Sequence, residues 1–214
     1  MLPPHPVRVN PALRSRVPEN HRVPGKLIYL MGPSGSGKDS LIEAARPELA
    51  ARGCEVIQRV ITRSAESAGE EAIGVSREAF QALKASGAFA LDWQANGLEY
   101  GIPVQLDQWL AAGRHVLVNG SRGHLKQARE RYPDLLAIML RVDTNVLRQR
   151  LLARGRETPA EINARLARNE LFLESVEALV ADGVHLLDNS AALQIGVQRL
   201  LALIDAAIAT PQRN

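Results

Sequence analysis

From Lys26 onward, short apolar runs alternate with longer stretches of helical period. Leu27-Ile28-Tyr29-Leu30-Met31 is unbroken and apolar and ends at Gly32, the pattern of a strand buried on both faces. A helix is predicted over Lys38–Arg52 and stopped by Gly53, with Pro47 expected to kink it or end it early. Val56–Ile61 reads as a second strand, and 64–74 as a polar surface loop. Ser76, with Ala79, Phe80 and Leu83, starts an amphipathic helix ending near Gly87. Phe89–Gly101 reads as short and irregular, and Pro103 stands where it can open a helix to Gly113.

Val116–Val118 is a strand running into Asn119-Gly120, and a helix follows to about Tyr132. Leu135–Val142 is a further strand; helices are predicted over Val146–Arg154 and Glu161–Val180. His185–Leu187 forms a last strand and 192–208 a last helix. There is no internal repeat. Repeated β-α alternation predicts an α/β fold with a mostly parallel five-stranded sheet and helices on both faces.

Composition refines this reading. At 214 residues and 46% hydrophobic the chain can bury one core, and with 4% aromatics Leu, Val, Ile and Ala must fill it. No run approaches ~18 apolar residues, so a membrane span is not expected. Cys54 is the sole cysteine, which excludes an internal disulfide and suits the cytoplasm. The pI of 9.3 suggests nucleic-acid binding until the charge is located. Residues 1–26 carry Arg8, Arg14, Arg16, Arg22 and Lys26 against Glu19; the remainder has 21 bases and 22 acids. The excess therefore lies in a Pro-rich leader (1–25), expected to be flexible, and nucleic acid loses its support as a partner. The folded body is expected over 26–208, with a short tail at 209–214.

Gly32-Pro33-Ser34-Gly35-Ser36-Gly37-Lys38 follows the first strand and opens the first helix, the setting in which GxxxxGK binds phosphate. Glycines let backbone N–H groups converge on phosphate oxygens, the helix N-terminus adds positive potential, and Lys38 reaches the β/γ phosphates. The bland alternative is a Gly-rich turn. After Lys38 comes Asp39, where Ser or Thr usually binds Mg²⁺; Ser40 is one step later. A carboxylate there is either a first-turn helix residue or a magnesium ligand. The strand end Val116-Leu117-Val118-Asn119-Gly120 has no acid where many such proteins place a metal-binding Asp. Asp39 is therefore expected to supply the negative charge that this strand lacks.

Further motifs add a resemblance. Ile61-Thr62-Arg63 with Gly69-Glu70, Val75-Ser76-Arg77-Glu78-Ala79-Phe80, Trp93 with Tyr100-Gly101, and Leu151–Arg165 stand in the order of the guanylate kinase family. That resemblance implies a P-loop NTPase fold with a small acceptor-binding insertion (about 59–102) and a lid (about 150–168). The base-reading positions depart from it: Asp92, Ile102 and the Asn119-Gly120 region replace the family's polar readers. A purine monophosphate is therefore a poor acceptor. Asp39-Ser40 after the P-loop Lys, Trp93-Gln94-Ala95, Tyr100-Gly101-Ile102-Pro103 and Val118-Asn119-Gly120-Ser121-Arg122 resemble the ribose 1,5-bisphosphate phosphokinase family instead.

The resemblance implies ATP and Mg²⁺ as cofactors and a sugar phosphate as acceptor, converted to 5-phosphoribosyl 1-diphosphate in phosphonate catabolism. An acceptor phosphate is already anionic, so no general base is needed and charge neutralisation carries the chemistry. Gly32–Gly37 and Lys38 are assigned to ATP phosphates, Asp39 and Ser40 to Mg²⁺. Arg59 and Arg63 are assigned to the acceptor phosphate. Asp92 and Tyr100 are assigned to the acceptor, and Arg122 to its second phosphate. Arg154 and Arg165, with Arg150 and Arg168, are lid candidates set against a solvated-face reading. Asp188-Asn189 stands where this class contacts adenine.

Trp93 and Trp109 read as core, His115 as a satisfied edge histidine and Cys54 as incidental. The competing readings are a guanylate kinase, a non-catalytic interaction module and a nucleic-acid binder; a homodimer is left open. If Asp39 holds magnesium, the Asp39→Ser enzyme will need far more Mg²⁺ for half-maximal rate. A Mg²⁺ titration with an unchanged midpoint would sink the assignment.

Overall fold

The computed structural model describes residues 24–63, 72–155, 157–173 and 176–209. Residues 1–23, Gly69-Glu70 and 210–214 lie outside the described residues, as does the side chain of Arg168.

Five strands, β1 (Leu27–Met31), β2 (Cys54–Val56), β7 (His115–Asn119), β8 (Leu136–Arg141) and β9 (His185–Asp188), form one parallel sheet in the order β2-β7-β1-β8-β9. The unbroken apolar run of β1 is explained by its central place. Ile28 and Leu30 meet Leu41, Ala45 and Leu49 of α1 (Lys38–Ala51) and Val197, Leu200 and Ile204 of α8 (Leu193–Ala209). Leu27, Tyr29 and Met31 meet Leu106 and Leu110 of α3 (Gln105–Ala111) and Leu125 and Ala128 of α4 (Leu125–Arg131). Each such buried side chain contributes roughly 1.5–3 kcal/mol. An exposed pair such as Arg46–Glu43 contributes far less. The two apolar layers, not ion pairs, therefore fix where the strand ends lie. Those of β1 and β7 are neighbours, with Leu30 in register with Asn119.

The second sheet departs from the sequence expectation. Val56–Ile61 is not one strand: β2 stays in the main sheet, while β3 (Arg59–Ile61) begins another. Ile57 still donates to the Leu117 carbonyl at 3.2 Å before the chain crosses over. β3 pairs with β4 (Ala72–Gly74) and β6 (Leu98–Pro103), and β6 with β5 (Phe89–Ala95), in the order β4-β3-β6-β5. Phe89–Gly101 thus belongs to a hairpin that pairs through to Pro103, with a register shift between Phe89 and Leu91, turned by Asn96 at φ 52° and Gly97 at φ 76°. The helix α2 (Arg77–Ala85) is capped by Ser76, whose Oγ accepts from Ala79 N–H at 3.1 Å.

Three boundaries also differ. Pro47 neither ends α1 nor shortens it; it is exposed, so the carbonyl that loses its helical donor faces water. Pro103 belongs to β6 opposite Phe89, and α3 starts two residues later. The helix expected over Glu161–Val180 starts earlier, at Pro159, and is described over α6 (Pro159–Leu173) and α7 (Val176–Ala181), after α5 (Thr144–Arg154). Gly25 already belongs to the body, donating to the Leu110 carbonyl at 2.7 Å. His115 is satisfied as expected, its Nδ1 accepting from Lys26 N–H at 3.0 Å. Cys54 is buried, and burial pushes its thiol up to about 12, which leaves it unreactive. Among the described residues, no helix is long and apolar enough to cross a membrane.

Candidate active site

The loop between β1 and α1 is built by glycine. Gly35 and Gly37 have φ of 86° and 85°, the left-handed region. A Cβ at Gly32 would lie 2.9 Å from Leu140 Cβ, and at Gly35 2.8 Å from a Leu151 methyl. The loop therefore lies pressed against β8 and α5, with no room for a side chain at Gly32 or Gly35. Lys38 Nζ donates to the carbonyls of Gly32 and Pro33 at 2.9 and 3.1 Å, which draws the ammonium back over the loop.

Asp39 reaches the end of the neighbouring strand: Asn119 Nδ2 donates to Asp39 Oδ1 at 2.9 Å. The carboxylate stands where such loops usually carry a hydroxyl, and the carboxamide where the strand end usually carries an acid. Asn119 Oδ1 is buried and has no hydrogen-bond partner among the described residues. Two hard oxygen donors therefore sit at one strand end beside the phosphate loop, a donor set that suits Mg²⁺. Ser40, one position on, is exposed.

The same asparagine meets the second sheet. Arg59, 8% exposed, donates from Nη1 to the Asn119 carbonyl at 3.3 Å. Its guanidinium carbon lies 5.2 Å from the centre of the Tyr100 ring. Tyr100 stacks on Trp93 at 5.4 Å and 5°, and Trp93 on His124 at 5.6 Å and 27°. Arg59, Tyr100, Trp93 and His124 thus make one continuous ladder, each face contact contributing on the order of 1 kcal/mol. Burial holds the His124 pKa down, against the opposing pull of Asp92. Arg122 lies in the 3₁₀ turn Arg122–His124 below the ladder; desolvation lowers its pKa to about 10, so it stays charged at neutral pH.

Tyr29 fixes that turn. Its hydroxyl donates to the Ser121 carbonyl and accepts from the Ser121 N–H, both at 2.9 Å. A Cβ on Gly120 would lie 2.3 Å from the Tyr29 ring, so only glycine lets the chain pass. Sequence reading missed this tyrosine because its period marks it only as core.

The remaining site candidates divide. Arg165 of α6 reaches the loop, donating to Ser34 Oγ at 2.6 Å while pairing with Glu157. Arg150 of α5 donates to the Asn189 carbonyl at 2.9 Å. Arg154 is exposed at the end of α5. Arg63 opens on a cleft of about 480 Å³ beside the second sheet, with Thr62, Ser76, Arg77 and Gly97. Asp92 is paired with Lys84. Asp188 is exposed and accepts from Ser190 N–H at 2.8 Å; hydrogen bonding by the Ser190 side chain, and then by its N–H, lowers the Asp188 pKa, while its neighbour Asn189 is the residue that turns inward.

No family model matches the chain. It is 63% identical over 181 residues to a ribose 1,5-bisphosphate phosphokinase of Pseudomonas fluorescens, covering 85% of this chain and 95% of the relative. A protein of the same name from Pseudomonas paraeruginosa is 62% identical over 178 residues, covering 83% and 94%. Among solved structures, a guanylate kinase from Anaplasma phagocytophilum superposes with a TM-score of 0.64 over 88% of both chains. At 18% identity, that likeness shows the fold alone.

Burial raises the Tyr29 pKa from 10.0 to about 12. A phenol that holds its proton more tightly when folded contributes stability fully present below pH 10 and lost as pH rises toward 12. Tyr29→Phe is expected to unfold about 1–2 kcal/mol more easily at neutral pH. It should also lose less of its remaining stability between pH 10 and 12 than the parent. Urea unfolding across that range checks both; parallel pH curves would contradict the assignment.

Proposed function

The chain belongs to the ribose 1,5-bisphosphate phosphokinase family, and we propose that it transfers the γ-phosphoryl group of ATP to the 1-phosphate of ribose 1,5-bisphosphate. The products are 5-phosphoribosyl 1-diphosphate and ADP. The observation that carries the mechanistic part of this reading is Asp39 paired with Asn119 beside an intact phosphate loop.

The acceptor oxygen is anionic before the reaction begins, so this chain's residues need only orient two polyanions and offset their repulsion. Backbone N–H groups of 32–37 and Lys38 bind the ATP phosphates. Asp39 and the Asn119 carboxamide oxygen would hold Mg²⁺, which would supply neutralisation of phosphate charge. Ser40, being exposed, is the weaker of the two assigned metal ligands. Arg165, already on Ser34, stands where a lid arginine can meet the transferring phosphoryl, and Arg154 is assigned to closure of the same lid. Arg63 and Arg122 take the two acceptor phosphates. Arg59 acts by holding Tyr100 and the β7 end together as well as by its charge. Asp92 acts at the rim through Lys84, and Asp188 at the base end of ATP. The setting is the cytoplasm, without nucleic acid or membrane as partner.

Guanylate kinase activity is disfavoured because Ile102, at a base-reading position, is fully buried in the apolar core. An interaction module is disfavoured by the complete loop and its lysine. The test incubates the purified protein with ATP, Mg²⁺ and either ribose 1,5-bisphosphate, GMP or no acceptor, and follows ADP. Release is expected with the bisphosphate alone. Release with GMP and not with the bisphosphate would overturn the proposal.

A further inference from the structure

Asn189 lies just past β9, yet it is 3% exposed and turned toward the phosphate loop. Its backbone N–H donates to the Arg141 carbonyl at 2.8 Å, tying it to β8. Its Nδ2 donates to the Ser36 carbonyl at 2.8 Å. Arg150 grips the backbone of both residues, donating to the Asn189 carbonyl at 2.9 Å and to the Ser36 carbonyl at 3.5 Å. The carboxamide is wedged between two glycines. A Cβ on Gly37 would lie 3.0 Å from Nδ2, and a Cβ on Gly196 of α8 only 2.4 Å from Oδ1.

The peptide geometry gives this contact a consequence. In a trans peptide the carbonyl of one residue and the N–H of the next point in opposite directions. Holding the Ser36 carbonyl on Asn189 therefore turns the Gly37 N–H away from Asn189. Gly37 is also the N-cap of α1, so its orientation is passed to the first N–H groups of that helix. We propose that Asn189 is a positioning residue for nucleotide: it sets the peptide planes of the phosphate loop before ATP arrives. This rests on the nucleotide reading above, though not on the identity of the acceptor.

The experiment is calorimetric titration of ADP into the parent, Asn189→Asp and Gly196→Ala, with melting temperature and both KM values measured alongside. Asn189→Asp keeps the shape and replaces the donor facing the Ser36 carbonyl by an acceptor. It is expected to weaken ADP binding about tenfold or more and to raise KM for ATP, with KM for the acceptor unchanged. Gly196→Ala would ordinarily favour a helix. Here its methyl displaces the carboxamide, and ADP binding is expected to weaken in the same way. Folded variants that bind ADP like the parent would overturn the inference, as would KM values for both substrates rising together. A parent that binds no ADP would instead overturn the nucleotide reading, and the inference with it.

Discussion

Asn119 is the residue on which the two halves of the site converge. Its side chain binds Asp39 of the phosphate-loop helix, and its carbonyl binds Arg59 of the second sheet. Its position is set by pairing with Leu30 in β1, and Gly120 N–H continues the ladder to the Leu30 carbonyl at 2.8 Å. A residue at a parallel strand end has its backbone fixed by the sheet and its side chain free for ligand chemistry. One such position can therefore hold the phosphate-loop helix and the second sheet in fixed relation.

The charge arrangement follows from the same contact. A phosphate loop with an acid immediately after its lysine adds negative charge where triphosphate must bind. A neutral residue at the β7 end keeps the sum of charge at the pair to one carboxylate, as if the usual hydroxyl and acid had traded places. On the second sheet, Arg59 is spread over Tyr100 and the Asn119 carbonyl, and the stack through Trp93 to His124 leads back to the turn carrying Arg122. Tyr29 closes this circuit from beneath, through Ser121.

Much of this was legible in the sequence because it depends on local pattern. Four of the five strands of the main sheet and the phosphate loop follow from apolar runs and glycine spacing; β2 overlaps the segment read as the second strand only at Val56. The order of motifs along the chain exposed the family likeness. The second sheet was less legible. Its strands are short, and the β2-to-β3 crossing falls inside the segment read as one strand, at Ile57-Gln58. The Asn96-Gly97 pair was a hairpin signal that could have been used. Tyr29 and Asn189 were harder still: one is a core residue by its period, and the other was read for the base end of ATP. Both matter through contacts 92 and 153 residues away in the chain, which no local pattern carries. Asp39 was singled out by a charge where a hydroxyl residue is usual, while its partner Asn119 was visible only as a missing acid.

The most direct test of the exchanged pair adds Asn119→Asp to the Asp39→Ser enzyme and reads the Mg²⁺ dependence of turnover. The account predicts that the second substitution restores the midpoint toward that of the parent, because the carboxylate returns to the same strand end from the other side. Effects of the two substitutions that simply add, leaving the double variant worse than either single one, would contradict it.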